Sequence, residues 1–169
     1  MIAYRDARIA DAAALAAMAC DSFVETFGHL YPPEDLAMFL DKAFGPSGLP
    51  AQLGDSRYTI RLAIEDEGIT GYAKIGPNAF AGHAHADAVE LYQLYILKPW
   101  QGTGVAATLM DWAIAQARAR SAPQLVLSVF VDNIRAQRFY ARYGLREVGR
   151  YDYAVGNTID DDRIWVLDL

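Results

Sequence analysis

Val89-Glu90-Leu91-Tyr92-Gln93-Leu94-Tyr95-Ile96-Leu97, followed after Lys98-Pro99-Trp100 by Gln101-Gly102-Thr103-Gly104-Val105-Ala106, is the stretch on which the fold turns. The first part is rich in Leu, Tyr and Ile and reads as the strongest strand in the chain. From about Gly104 to Arg120 the pattern becomes that of a helix. Two glycines between strand and helix clear side chains away where the backbone would approach phosphate oxygens. Their amides and the positive end of the helix together make an anion site. By itself the loop also admits an ordinary glycine turn, or a dinucleotide fingerprint of the G-x-G-x-x-A form over Gly102 to Ala107. A P-loop is excluded, because the Gly-Lys-Ser/Thr ending is missing.

Downstream of the loop, Leu125 to Phe130 reads as a buried strand, and Asn133 opens a helix that Gly144 closes. Strands at Arg146 to Ala154 and Arg163 to Leu169 follow, with Gly156-Asn157 and Asp160-Asp161-Asp162 expected in the turn between them. The chain remaining after Asp132 therefore holds one helix and a hairpin, too little for the second half of a dinucleotide-binding sheet. Upstream, Ile2 to Arg5 reads as a short strand. A first helix, capped at Asp11, carries Leu15, Ala19, Phe23 and Phe27 on one face. A second helix starts at Pro33, carries Leu36, Phe39, Leu40 and Phe44, and stops at Gly45. Gly45 to Asp55 reads as loop. Tyr58 to Glu65 and Thr70 to Ile75 read as a hairpin around Asp66-Glu67-Gly68, and Asn78 to Asp87 as a mobile connection.

The chain has 169 residues, 53% of them apolar and 21% charged, which predicts one folded domain over residues 1–169 and argues against disorder. A net charge of -6 argues against a nucleic-acid-binding surface. No apolar run is long enough to span a bilayer, and the N-terminus lacks the apolar core of a signal peptide. The one cysteine, Cys20, cannot form an intrachain disulfide, so a cytoplasmic setting is expected. His83, His85 and Asp87 alternate, but they read as a loop near an acceptor site. No metal is expected.

Three segments in order resemble the GNAT superfamily of N-acetyltransferases. Glu90 to Ile96 looks like its fourth strand, and Gln101-x-x-Gly104-x-Ala106 is similar to its Arg/Gln-x-x-Gly-x-Gly/Ala loop. Asn133-Ile134-Arg135-Ala136-Gln137-Arg138-Phe139-Tyr140-Ala141-Arg142-Tyr143-Gly144-Leu145 is similar to its Asn-x-x-Ala-x-x-Phe-Tyr segment, with Leu145 in place of the final Phe. A looser resemblance links Ser22 to Leu40 to a branch that includes bacterial spermidine/spermine acetyltransferases. The resemblance implies an α/β (α+β) single-domain GNAT fold, with a mixed, mostly antiparallel sheet of about seven strands, splayed central strands and about four helices.

It further implies acetyl-CoA as co-substrate. Its pantetheine arm would lie on the backbone of Leu94, Tyr95 and Ile96, and its pyrophosphate on the amides of Gln101, Gly102, Thr103, Gly104, Val105 and Ala106. Asn133 would contact the arm as well as cap its helix. Tyr140 would be the general acid for the leaving thiolate, or else an aromatic packed on the sheet. Glu90 would be the general base, or else a surface carboxylate. Tyr92 shares its strand parity and stands where some relatives carry a second acid. The expected partner is a small-molecule amine, with polyamines among the candidates. Peptide or amino-acid amines, a non-catalytic acyl-CoA-binding role and a homodimer are left open.

Overall fold

Helical segments before and after the central strands bury apolar stripes, and a single seven-stranded sheet receives them on its two faces. A computed structural model describes residues 1–169. In chain order the elements are β1 (Ala3–Asp6), α1 (Ala12–Phe27), α2 (Pro33–Phe44), α3 (Leu49–Gln52), β2 (Thr59–Glu65), β3 (Gly68–Pro77), β4 (Val89–Ile96), α4 (Val105–Ala119), β5 (Gln124–Phe130), α5 (Ile134–Arg142), β6 (Arg146–Val155) and β7 (Thr158–Asp168). The strands are ordered β1-β2-β3-β4-β5-β7-β6. Every neighbouring pair is antiparallel except β4 and β5, which are parallel and therefore need a crossover, supplied by α4. With one parallel pair in the sheet, the dinucleotide reading of the glycine loop has no sheet to stand on.

On one face, Leu109, Met110, Ala113 and Ala117 of α4 pack against Ala73, Ile75, Leu91, Leu125 and Leu127. On the other face, Leu15, Met18, Ala19 and Phe23 of α1 and Phe39 and Phe44 of α2 pack against Leu62, Tyr72 and Val155. No helix is long and apolar enough to cross a membrane.

Three details depart from the sequence reading. The stretch from Gly45 to Asp55 is not all loop: Leu49–Gln52 forms a single helical turn, because Pro50 suits its first turn and Leu49 is buried against the α1–α2 core. The connection from Asn78 to Asp87 is anchored rather than free. Phe80 is buried with Ala88, Val126, Ile164 and Val166, and Ala81 bridges Ala84. Asp160, Asp161 and Asp162 lie within β7, not in a turn. Gly156-Asn157 alone makes the β6–β7 turn, with Gly156 at φ +60°, so pairing starts at once from Val155 and Thr158.

That turn is held by α2. Asp35 accepts hydrogen bonds from the Asn157 amide (2.9 Å), the Asn157 side chain (3.2 Å) and the Thr158 hydroxyl (2.6 Å), which together keep its carboxyl below the usual range. A methyl group on Gly156 would come within 2.4 Å of the Asp35 Cα. Gly156→Ala should therefore cost about 2 kcal/mol or more and lower the melting temperature by roughly 5 °C or more. Gly68→Ala is the control for a thermal melt: its added carbon meets nothing nearer than 3.5 Å, and it should melt close to wild type.

Candidate active site

β4 and β5 are in register only at Val89 with Leu125 and Glu90 with Val126. Beyond these the strands part, and a cleft of about 770 Å³ opens between them. Leu91 to Ile96 lines one wall, and Ser128, Val129 and Phe130 of β5 line the other. The parting coincides with a bulge: Lys74 pairs with Gln93 and Ile75 with Leu91, leaving Tyr92 as the extra residue of β4. Beyond the bulge, Leu94 and Ile96 face α4 while Tyr95 faces the α1–α2 side.

The glycine loop closes one end of the cleft. Gly102 and Gly104 have φ of +82° and +94°, in the region that disfavours side chains, and no atom lies within 4 Å of where their Cβ atoms would be. The Gln101 amide donates to Lys98 and the Thr103 amide to Trp100. The amides of Gly102, Gly104, Val105, Ala106 and Ala107 have no acceptor within the protein, and they ring the N-terminus of α4. The free amides thus start at Gly102, skip Thr103 and extend to Ala107. Gln101 serves the loop through its side chain, donating to the Ile96 carbonyl (3.0 Å) and accepting from Arg135 on α5.

α5 forms the far wall. Asn133 Oδ1 accepts from the Ala136 amide (3.2 Å), which is the N-cap bond expected of it, and its side-chain nitrogen remains unpaired. Two turns on, Tyr140 lines the cleft with Phe139 edge-on beside it (5.5 Å). Its hydroxyl makes no hydrogen bond within the protein, and burial pushes its pKa up. It is therefore a protonated phenol at neutral pH. Arg135, Arg138 and Arg142, also on α5, are the only cationic side chains lining the cleft.

The opposite end is walled by α1 and the β6–β7 hairpin: Ser22, Phe23, Thr26, Phe27, Tyr31, Tyr153, Asp160 and Asp162. The Tyr31 hydroxyl donates to Asp160. Asp162 is only 6% exposed, no ion pair within the protein reaches its carboxylate, and the Ser128 hydroxyl faces it. Desolvation raises its pKa to about 7, against a smaller opposing pull from the Ser128 hydroxyl and with Asp160 and Asp161 adding to the rise. From the sequence these aspartates read as a solvated turn, with attraction of a polyamine as the alternative. The alternation of β7 was the signal available, since it separates Asp160 and Asp162 from Asp161, which turns outward to Arg150 (3.0 Å) and Arg163 (2.9 Å).

Glu90 sits at the last paired position of β4, where the cleft begins. It is 6% exposed, does not line the cleft, and accepts a hydrogen bond from the Ala79 amide (2.9 Å) under the Asn78–Asp87 connection. Burial raises its pKa to about 7 while the Ala79 amide and Lys74 pull it down. Tyr92 lines the cleft, but its hydroxyl donates to the Pro77 carbonyl. His83 lies against Gly149, and His85 accepts from the Asp87 amide, so the two histidines and Asp87 do not form a metal-binding group. Cys20 packs against the α1–α2 core.

A raised carboxyl carries a definite pH signature. At low pH Asp162 is protonated in both folded and unfolded chains and costs nothing. As pH rises above the ordinary value of 3.8, the unfolded chain loses this proton first, and stability falls until about pH 7. Asp162→Asn removes this dependence. The stability of the variant relative to wild type should therefore rise by about 2–3 kcal/mol between pH 5 and pH 8, read from denaturant unfolding at each pH. A difference that stays flat with pH would show that Asp162 titrates in the ordinary range.

The comparisons with known proteins agree with this geometry. The model of the acetyltransferase (GNAT) family matches residues 15–145. An uncharacterised N-acetyltransferase of Mycobacterium tuberculosis is 35% identical over 159 residues, covering 94% of this chain and 98% of that protein. An aminoalkylphosphonate N-acetyltransferase of Salmonella typhimurium is 29% identical over 100 residues, covering 59% of this chain and 64% of that protein. Among solved structures, the PaiA N-acetyltransferase of Thermoplasma acidophilum in complex with coenzyme A superposes with a TM-score of 0.80 at 18% identity, covering 100% of this chain and 99% of that one. YncA of Salmonella typhimurium, with its cofactor acetyl-CoA, superposes with a TM-score of 0.72 at 22% identity, covering 100% and 94%. With the splayed strands, the amide cradle at α4 and the Asn133–Tyr140 helix in one cleft, the chain belongs to the GNAT family of N-acetyltransferases.

Proposed function

We propose that this protein is a cytoplasmic, single-domain enzyme that moves the acetyl group of acetyl-CoA directly to a primary amine of a small molecule, polyamines included. The observation that carries this reading is the continuity of the cleft. It runs from five unpaired amides at the start of α4, along the open edge of β4, past the free hydroxyl of Tyr140, to a pocket lined by carboxylates.

The residues present fit the donor. The amides of Gly102 and of Gly104 to Ala107 would take the pyrophosphate, with the positive pole of α4 adding to their pull. The backbone of Leu94, Tyr95 and Ile96 offers strand-edge groups to the amide-bearing arm, and the unpaired nitrogen of Asn133 a further donor. Acetyl-CoA supplies an activated thioester. Backbone N–H groups on the open edge of β4 would polarise its carbonyl, a contribution that strengthens as negative charge develops on the oxygen. Tyr140 gives its proton to the departing thiolate, and the proton lost by the newly acylated nitrogen restores the phenol. Burial of Tyr140 serves this role, because it keeps the phenol protonated across the working pH range.

The direct test is thiol release from acetyl-CoA with a panel of primary amines and detection of the acetylated product. Binding of CoA without turnover on any amine would leave a binding protein in place of the enzyme. Tyr140→Phe should lower kcat by ~10²-fold or more, with acetyl-CoA affinity little changed, because it removes a proton and leaves the shape of the wall intact. An unaltered kcat, with chemistry shown to be rate-limiting, removes Tyr140 from the mechanism.

A further inference from the structure

Resting on that reading, we propose that Asp162 is the residue that receives the acceptor. Its carboxylate docks the incoming ammonium and takes the proton that must leave before attack. With Asp160, it makes the pocket select amines that carry no anionic group near the reacting nitrogen.

Placement on the sheet supports this first. β7 pairs with β5 in the register Phe130–Asp162 and Ser128–Ile164, so Asp162 stands one strand beyond the wall of the splay, on the face that Tyr95 and Tyr153 share. It lines the same cleft as Tyr140 while being 94% withdrawn from solvent, since its exposure is 6%. A buried carboxylate with only a hydroxyl beside it and no cation paired to it is unfavourable unless something cationic visits it. Every other acid nearby is engaged. Asp160 accepts from Tyr31, Asp161 is held by Arg150 and Arg163 on the outer face, and Glu90 accepts from Ala79.

The charges in the cleft are sorted by end. Its three cationic side chains, Arg135, Arg138 and Arg142, all belong to α5 beside the phosphate cradle, and none pairs with Asp160 or Asp162. The groups facing Asp162 are Tyr31 from the α1–α2 connection, Tyr95 of β4, Ser128 of β5, Tyr153 of β6, and Asp160 and Asp161 of β7. Tyr140 of α5 and Glu90 of β4 stand further along the same field. None of these is a cation. An ammonium entering here meets carboxylates and phenols, and an acceptor bearing a carboxylate or phosphonate meets like charge.

The step balances as follows. The ammonium gives one proton to the Asp162 carboxylate, which becomes a carboxylic acid. The freed nitrogen lone pair forms a bond to the acetyl carbonyl carbon, and the carbon–sulfur bond breaks with its electron pair on sulfur. Sulfur takes the Tyr140 proton, Tyr140 takes the second proton of the acylated nitrogen, and Asp162 returns its own to solvent. The net products are one amide, one thiol and one proton. The desolvation that raises the Asp162 carboxyl towards neutrality also lowers the ammonium, so the first transfer runs between groups brought closer in acidity.

The test uses the full chain, with acetyl-CoA affinity and thermal melting as checks that each variant is folded. Propylamine and 2-aminoethylphosphonate serve as the acceptor pair. Wild type should prefer propylamine by roughly tenfold or more in kcat/KM. Its kcat/KM for propylamine should rise with pH along a limb near neutrality. Asp162→Asn should lower kcat/KM for propylamine by ~10²-fold, abolish the neutral limb and shrink the preference, with acetyl-CoA affinity kept. Asp162→Glu should retain the limb. In Glu90→Gln the limb should persist, whatever the absolute rate.

A limb that disappears with Glu90→Gln and survives Asp162→Asn overturns the assignment, as does undiminished turnover in Asp162→Asn. A wild-type preference for the phosphonate overturns the selectivity. These outcomes leave the transferase reading intact, whereas a wild type that acetylates no amine at all overturns both.

Discussion

The parting of β4 from β5 is the constraint on which the rest of the molecule depends. A strand edge exposes a row of amides and carbonyls that must find partners, and a protein interior offers few that are not already committed. Here pairing stops after Glu90 and Val126, and the edge from Leu91 onward faces a cleft open to water and to ligands. Three features accompany the parting. β4 is bulged at Tyr92, the Gln101 side chain ties the Ile96 carbonyl to the glycine loop, and Asn133 and Tyr140 of α5 line the cleft. Each also carries a functional group, so the irregularity that would weaken an ordinary sheet supplies the site.

The two ends of the cleft differ in electrostatics because different elements build them. One end is made by helix N-termini and by the arginines of α5, a positive field suited to phosphates. The other end is made by the β6–β7 hairpin and the α1–α2 connection, where Asp160 and Asp162 face phenols. That end depends on the distant anchor between Asp35 and the Gly156-Asn157 turn, which sets the hairpin against α2. Anchoring and destabilisation therefore meet in one hairpin: its turn is tied down, and Asp162 is left without a cationic partner at a cost in stability near neutral pH.

Much of this was legible in the residues. The helices are marked by apolar spacing and by Asn133 and Pro33 at their starts, and these signals are local. The glycines were legible for a second reason, since positive φ at Gly102 and Gly104 requires what the sequence supplies. The turn after Val155 was harder to place. Gly156-Asn157 and the three aspartates compete as turn formers in sequence, and only the pairing of Thr158 with Val155 decides between them. Glu90 shows the limit differently. The resemblance alone suggests a base there, and the Ala79 amide that binds its carboxylate belongs to a connection with no periodic signal to read.

The sequence by itself determined the element order, the two helix faces and the glycine loop before α4, because each rests on contacts within a few residues, while Asn133 and Tyr140 stood out through a family resemblance. Only the tertiary structure decided which carboxylates face the cleft. Asp160, Asp161 and Asp162 are chemically the same side chain, and their separation into a tyrosine-held acid, an outward ion pair and a buried carboxyl with no cation beside it comes from strand alternation and from neighbours far away in sequence, Tyr31 among them. Burial and pairing are properties of the assembled sheet, and they set the charge of a carboxyl near neutral pH more strongly than its identity does.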